Sequence, residues 1–330
     1  MPGSPDLAIV LSGGGSKGAF QVGVLDELVT RRGLSVDLYA GISTGAIQAL
    51  GAAQDRIDDL RGVWEGIESE RDIFKKRFLG IVGALIGGAD SLYNAEPVRE
   101  LIREFHDPAA LAAAGKGLLV GAVSLGSGRL RYFNESDPNI TEWVIASSAV
   151  PATYQPLVTS DGDKWVDGGV RDMTPLGAVI ERRPKAILAI LASNSTKGPG
   201  RGSDSYDDLV EIALRATGIL TDEVFMNDIA QVGRINGLLD AAARQREVLM
   251  ELGLDDAAIN RAIEPIMNEM TRFRDVPIML IEPDADFDLP GSTSFKPDEI
   301  ARTIAHGEAV AARPDVLAAL KALKARAGIG

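Results

Sequence analysis

The chain has 330 residues, with 34 Lys plus Arg against 47 Asp plus Glu, a formal charge of −13, 36 Gly, 2 His and no Cys. At roughly 100 to 200 residues per domain this is one large domain or two modest ones, and the acidic balance repels phosphate backbones, which excludes nucleic acid as a partner. Without cysteine there is no disulfide, no thiol nucleophile and no cysteine-ligated zinc, and two histidines leave little for a histidine-rich metal centre, so no metal and no cofactor are expected.

The N-terminal Met-Pro-Gly-Ser-Pro-Asp lacks a basic region, and the apolar run 7–11 is too short for a signal segment. That run reads as a buried strand ending in Ser12-Gly13-Gly14-Gly15. Residues 19–30 follow with apolar side chains at helical spacing (Phe20, Val24, Leu25, Leu28). Residues 35–40 form a second short strand, and 44–53 a small-residue helix directly after it. The longest low-charge stretch, 78–89, falls short of the ~18 apolar residues of a spanning helix. It follows Lys75, Lys76 and Arg77 and reads as a core helix with solvated charges at one end. Alternatively the stretch from Lys75 to Ala89 is a peripheral membrane contact or a lid. Further apolar runs at 117–124, 186–191 and 277–281 supply strands, with helical stretches between them. The class is α/β, a mostly parallel sheet with helices on both faces, a three-layer α/β/α sandwich.

A Gly, Pro, Ser and Asp-rich linker at 198–208 precedes a charged, almost wholly helical region at 209–274, read as a helical insertion of about 205–275. The last strand and two surface helices, 297–311 and 314–327, complete residues 276–330. The expected organisation is a single domain over 1–330 with its core motifs in 7–196, cytoplasmic, with any membrane contact peripheral.

Three motifs carry chemistry. Gly13-Gly14-Gly15-Ser16-Lys17-Gly18 lies between strand and helix, where backbone N–H groups favour negative charge. Gly13, Gly15 and Gly18 fit a dinucleotide-binding spacing, with Asp37 about 20 residues on as a ribose acid. The competing reading is an oxyanion hole built on the Gly14 and Gly15 N–H groups. A phosphate-binding P-loop is excluded, because no Lys-Ser or Lys-Thr pair follows Gly18. Gly41-Ile42-Ser43-Thr44-Gly45 places Ser43 on a strand-to-helix turn, the context of a nucleophile elbow, with Gly41 and Gly45 letting strand and helix approach. A serine needs a base within hydrogen-bond reach. His106 and His306 read as solvated or capping histidines, with neither a glycine loop nor a strand end beside them. Asp167-Gly168-Gly169 follows a short strand at 164–166, and its carboxylate can take the serine proton directly if burial raises its pKa. Asp161 and Asp163 read as hairpin residues.

Gly-Gly-Gly-x-Lys-Gly, Gly-x-Ser-x-Gly and Asp-Gly-Gly in that order resemble the patatin-like phospholipases. The block Ala146-Ser147-Ser148-Ala149-Val150-Pro151-Ala152-Thr153-Tyr154-Gln155-Pro156, and Pro175 after Asp-Gly-Gly, extend the likeness over about residues 7–176. The resemblance implies Ser43 as nucleophile, Asp167 as its base and the N–H groups of Gly14, Gly15 and Ser16 as the oxyanion hole. It also implies a lipid acyl ester as substrate, such as a phospholipid or lysophospholipid, with no catalytic histidine or metal. Tyr154 stands where the family usually has Phe, and Met173 where it often has Asn. Lys17 either favours an anionic head group or caps the turn. Two other readings are carried: a dinucleotide-binding oxidoreductase, which leaves Ser43 and Asp167 without purpose, and a non-catalytic member of the same fold that binds lipid or a partner. Acyl position, head group and oligomeric state are not encoded in these motifs.

Overall fold

The computed structural model describes residues 4–76, 91–196, 209–270 and 276–330. In chain order the first strand, β1 (Leu7–Leu11), runs through the glycine loop into α1 (Ala19–Leu25), which continues as a wider π turn at Asp26–Arg31. Strand β2 (Leu38–Gly41) passes directly into α2 (Thr44–Ala53), then α3 (Ile57–Glu65). A small antiparallel pair, β3 (Lys75–Lys76) and β4 (Tyr93–Asn94), leads to α4 (Glu96–Phe105) and α5 (Pro108–Ala114). Then come β5 (Gly117–Ser124), β6 (Leu130–Asn134), α6 (Ile140–Ser147), β7 (Leu157–Val158), β8 (Lys164–Asp167), α7 (Leu176–Glu181) and β9 (Ala186–Ile190). Two helices, α8 (Leu209–Glu251) and α9 (Asp256–Met270), precede β10 (Ile278–Ile281) and the last helices, α10 (Pro297–Ala311) and α11 (Pro314–Arg326).

The sheet runs β10-β9-β1-β2-β5-β8-β7, with β6 also pairing to β5. Strands β10, β9, β1, β2 and β5 are parallel, whereas β6, β7 and β8 enter antiparallel, so the sheet is mixed but mostly parallel. Because side chains alternate across a strand, Leu7, Ile9 and Leu11 of β1 face one core with Phe20, Leu25 and Leu50, while Ala8 and Val10 face another with Val179 and Phe225. Both faces are therefore covered by helices, α1, α2, α6 and α11 on one and α7 and α8 on the other. Each fully enclosed Leu, Ile or Phe contributes about 1.5–3 kcal/mol of transfer free energy. A third apolar cluster joins Leu60, Trp64, Phe74, Phe105 and Phe295 beside the far end of α2.

Strand β2 starts three residues later than the apolar run suggested. The Asp37 carboxylate instead accepts the N–H groups of Asp6 and Leu7, at 2.7 and 3.2 Å, which holds the preceding turn against the start of β1. The helix at 297–311 is not a surface helix: Ile300, Thr303, Ile304, Gly307, Val310 and Ala311 are buried. Its Gly307 sits so close to α1 that an added Cβ would lie 2.2 Å from the Phe20 carbonyl oxygen. Of the 75–89 stretch only Lys75 and Lys76 are described, and the 198–208 linker also lies outside the described residues.

Candidate active site

Ser43 forms the N-cap of α2 with φ 57° and ψ −127°, a left-handed conformation that costs a non-glycine residue on the order of 1–3 kcal/mol. The turn is over-determined by its surroundings. The Ser43 N–H donates to Ser147 Oγ at 3.1 Å, and the Gly45 and Ala46 N–H groups donate to the carbonyls of Ile42 and Ser43 at 2.9 Å each. Strand and helix approach so closely that a Cβ on Gly41 would lie 2.0 Å from the Gly45 carbonyl oxygen, and one on Gly45 2.2 Å from that of Leu11. Behind the turn Gln48 donates to the Gly18 carbonyl and to Thr44 Oγ1, and its own oxygen accepts the Trp64 indole N–H.

Asp167 ends β8, in register with Ala122 of β5, and its N–H donates to the Ala149 carbonyl at 2.9 Å. Its carboxyl faces the Ser43 hydroxyl, and its Oδ1 accepts the Gly169 N–H at 2.8 Å. Burial pushes the Asp167 carboxyl up to about 7, and the Gly169 N–H and the facing Ser43 hydroxyl work in the opposite direction. A carboxylate with that affinity is matched to moving a proton near neutral pH.

Gly14 and Gly15 line the same cavity as Ser43 and Asp167. Gly15 takes φ 61°, and a Cβ there would meet the Ser292 carbonyl oxygen at 2.1 Å. Ser16 departs from the sequence expectation of an oxyanion donor: its N–H donates to the Ser292 carbonyl at 3.0 Å and its hydroxyl to the Gly291 carbonyl at 2.7 Å. Both groups are thereby spent on the segment before α10. Lys17 Nζ donates to Ser193 Oγ at 3.2 Å; burial lowers its pKa, and the Asp222 carboxylate on α8 opposes that.

The dinucleotide reading fails on geometry. β1 and β2 are parallel, with Ala8 beside Leu38, so Asp37 sits at the start of β2, at the opposite end of the sheet from the loop that follows Leu11. It is engaged there with Asp6 and Leu7. The two histidines are also elsewhere. His106 Nδ1 meets Thr141 Oγ1 at 2.5 Å, and His306 stacks on Phe287 at 3.8 Å while its Nε2 accepts the Asp284 N–H. Neither lines the cavity, and burial lowers the pKa of both.

The cavity measures about 420 Å³. Its polar end is Ser43, Asp167, Gly14 and Gly15, and its walls on α2, α3 and α4 are apolar, notably Ile47, Leu50, Leu60, Trp64, Ile102 and Phe105. Tyr154 also lines it, with its ring 6.0 Å from Phe74, and α8 contributes Gly218 and Thr221. Among the described residues no group of three or more His, Cys, Asp or Glu is placed to hold a metal ion. Among them, too, no helix is long and apolar enough to cross a membrane.

Three participants escaped the sequence reading. Ser147 was visible as part of the 146–156 block, but nothing local tied its hydroxyl to the Ser43 N–H. Asp228 accepts the N–H groups of Met173 and Thr174 from 55 and 54 residues away. The Met173 carbonyl accepts the Gly13 N–H at 3.0 Å and so ties the segment after Asp167 to the glycine loop.

A mostly parallel α/β sheet covered by helices on both faces, with a serine on a strained strand-to-helix turn after β2 and a buried aspartate facing it from β8, two strands away across β5, defines a class of three-layer α/β folds. The family model for the patatin-like phospholipases matches residues 9–180, more than half of the 330, and the chain belongs to that family. It is 28% identical over 185 residues to the uncharacterized protein YjjU of Escherichia coli K12, covering 56% of this chain and 51% of that one. It is also 28% identical over 191 residues to a cGAMP-activated phospholipase of Pseudomonas aeruginosa, covering 53% and 56% respectively. The chain thus spans about half the length of the curated relatives it matches. The solved structure of VipD from Legionella pneumophila aligns over 96% of this chain and 67% of that one, with 14% identity and a TM-score of 0.43.

Proposed function

We propose that the protein is a serine acyl hydrolase that cleaves lipid acyl esters, phospholipid or lysophospholipid, through an acyl-enzyme on Ser43. The observation that carries this reading is the Ser43 hydroxyl facing the buried Asp167 carboxyl at the polar end of an otherwise apolar cavity. Family membership and the phospholipase among the relatives support it.

The Asp167 carboxylate takes the Ser43 proton as Oγ attacks the ester carbonyl carbon. The carbonyl pair moves onto oxygen, and the N–H groups of Gly14 and Gly15 hold the oxyanion. Collapse of the intermediate breaks the ester bond, and Asp167 returns its proton to the leaving alcohol oxygen. Water then attacks the acyl-enzyme with Asp167 again as base, the fatty acid leaves, and Ser43 recovers its proton. Along α2 the seven residues from Ser43 to Leu50 span about 10 Å, and Ile47 and Leu50 on that face line the wall. An acyl chain fits there because burying its methylenes contributes about 0.8 kcal/mol each. The whole chain acts as one catalytic unit, with the helices within 205–275 closing one side of the site, and any contact with a bilayer is peripheral.

The test is covalent labelling. A fluorophosphonate forms one adduct on the wild type, at Ser43 by peptide mass spectrometry, and none on Ser43→Ala. Adduct formation that survives Ser43→Ala refutes the nucleophile.

A further inference from the structure

The strap 167–174 touches both halves of the site. Asp167 begins it, and near its other end the Met173 carbonyl fixes Gly13 of the glycine loop at 3.0 Å. The Met173 side chain fills the space between the two: its Cε is 2.9 Å from where a Cβ on Gly13 would stand, and its Sδ 2.4 Å from that of Gly169. A shift of the strap therefore moves the base and the oxyanion loop together.

The strap is held from α8. Asp228 Oδ2 accepts the Met173 N–H at 2.9 Å and the Thr174 N–H at 3.1 Å. The Asp172 carboxyl converges on the same joint: its Oδ1 also accepts the Thr174 N–H at 3.1 Å, and its Oδ2 accepts the Tyr132 hydroxyl from β6. Two carboxyl groups brought together on one N–H favour holding one proton between them over ionising together. Burial raises the pKa of both acids, so the pair holds that proton more tightly than free carboxyls do.

We propose that Asp228 is a positioning residue: by accepting, from α8 and beside Asp172, the Met173 and Thr174 N–H groups, it braces the strap so that Asp167 and the glycine loop meet the same carbonyl. This rests on the acyl-hydrolase reading of the site. Tyr132 on β6 faces the pair, Glu181 on α7 acts on that phenol, and Arg171, next to Asp172 in the strap, donates to the Gly128 carbonyl. When the shared proton leaves, two carboxylates face each other across the joint between α8 and the strap, and that repulsion opens it.

The experiment measures kcat and KM against pH with a soluble p-nitrophenyl ester for wild type, Asp228→Ala and Asp228→Asn. Asparagine keeps an oxygen for the two N–H groups and an N–H for Asp172, and so imitates the protonated acid at every pH. Displacing catalytic groups by about 1 Å costs up to about 100-fold. Asp228→Ala accordingly loses about 10- to 100-fold in kcat with KM within about threefold of wild type, a transition-state rather than a binding defect. Asp228→Asn recovers kcat to within about threefold of wild type near neutral pH and lacks the alkaline decline that wild type shows. Wild-type kcat in Asp228→Ala overturns the proposal. If that variant does not fold, Asp228→Asn decides: an alkaline profile identical to wild type, flat or falling, overturns it. Fluorophosphonate labelling of wild type but not Ser43→Ala, run alongside, separates failure of this inference from failure of the underlying reading.

Discussion

As the proposed base, Asp167 faces two conflicting demands: its carboxyl must be buried to be basic enough, and burial makes its charged form expensive. Its folded affinity lies near 7 and its unfolded value in the ordinary carboxylate range, so the folded state binds the proton more tightly. Between roughly pH 4 and 7 the folded protein holds a proton that the unfolded chain has released, and stability falls as pH rises through that window. The cost levels off above the folded value. Activity runs the other way, because attack needs the ionised carboxylate. The expected kcat/KM rises with an apparent pKa near 7 and is lost in Asp167→Asn. That variant is also expected to melt higher than wild type above pH 7, by on the order of a few kcal/mol in unfolding free energy, and the gain disappears towards pH 4. Thermal melts of the two proteins from pH 4 to 8 check the sign; a difference that does not grow with pH places the buried charge elsewhere.

At the scale of elements, β1 with its glycine loop and β2 with its elbow were legible, because an apolar run, a glycine turn and a 3.6-residue period are all local signals. The alternation that splits β1 between two cores follows from the same run. What was not legible depends on distant chain. Ser16 loses its oxyanion role to a carbonyl at Ser292, and Asp228 reaches the strap from the middle of a 43-residue helix with no motif around it. The buried face of α10 does carry a helical period in Ile300, Ile304 and Val310, but what makes it a core helix is distant: Gly307 lets it lie directly against Phe20 of α1. Helix α2, by contrast, is both local and functional: it presents Ser43 at one end and lines the cavity with Ile47 and Leu50 along its length. A bulkier residue one turn beyond the serine shortens the space open to an acyl chain. Ile47→Phe is expected to leave kcat/KM for acetyl and butyryl p-nitrophenyl esters within about threefold and to lower it for decanoyl and longer esters by about tenfold or more, since each excluded methylene forfeits about 0.8 kcal/mol. Equal losses across the series argue that the acyl chain does not run along α2.

For the whole molecule the net charge of −13 bears on how the site meets its substrate. If the substrate is a lipid, as proposed, the protein must come within contact distance of an aggregate, and like charges oppose that approach over the Debye length, about 30 Å at 0.01 M salt and about 10 Å at 0.1 M. The charge acts on encounter rather than on chemistry, because the cavity walls are apolar and the reacting pair is buried. Hydrolysis of vesicles of a zwitterionic phospholipid is therefore expected to exceed that of vesicles containing a third anionic lipid at low ionic strength. Raising the salt to 0.3 M shortens the screening length further and narrows the gap, while turnover of a soluble neutral ester stays unchanged. If the preference is reversed, with anionic vesicles faster and salt slowing them, local basic residues such as Lys75 and Lys76 govern the contact in place of the overall charge.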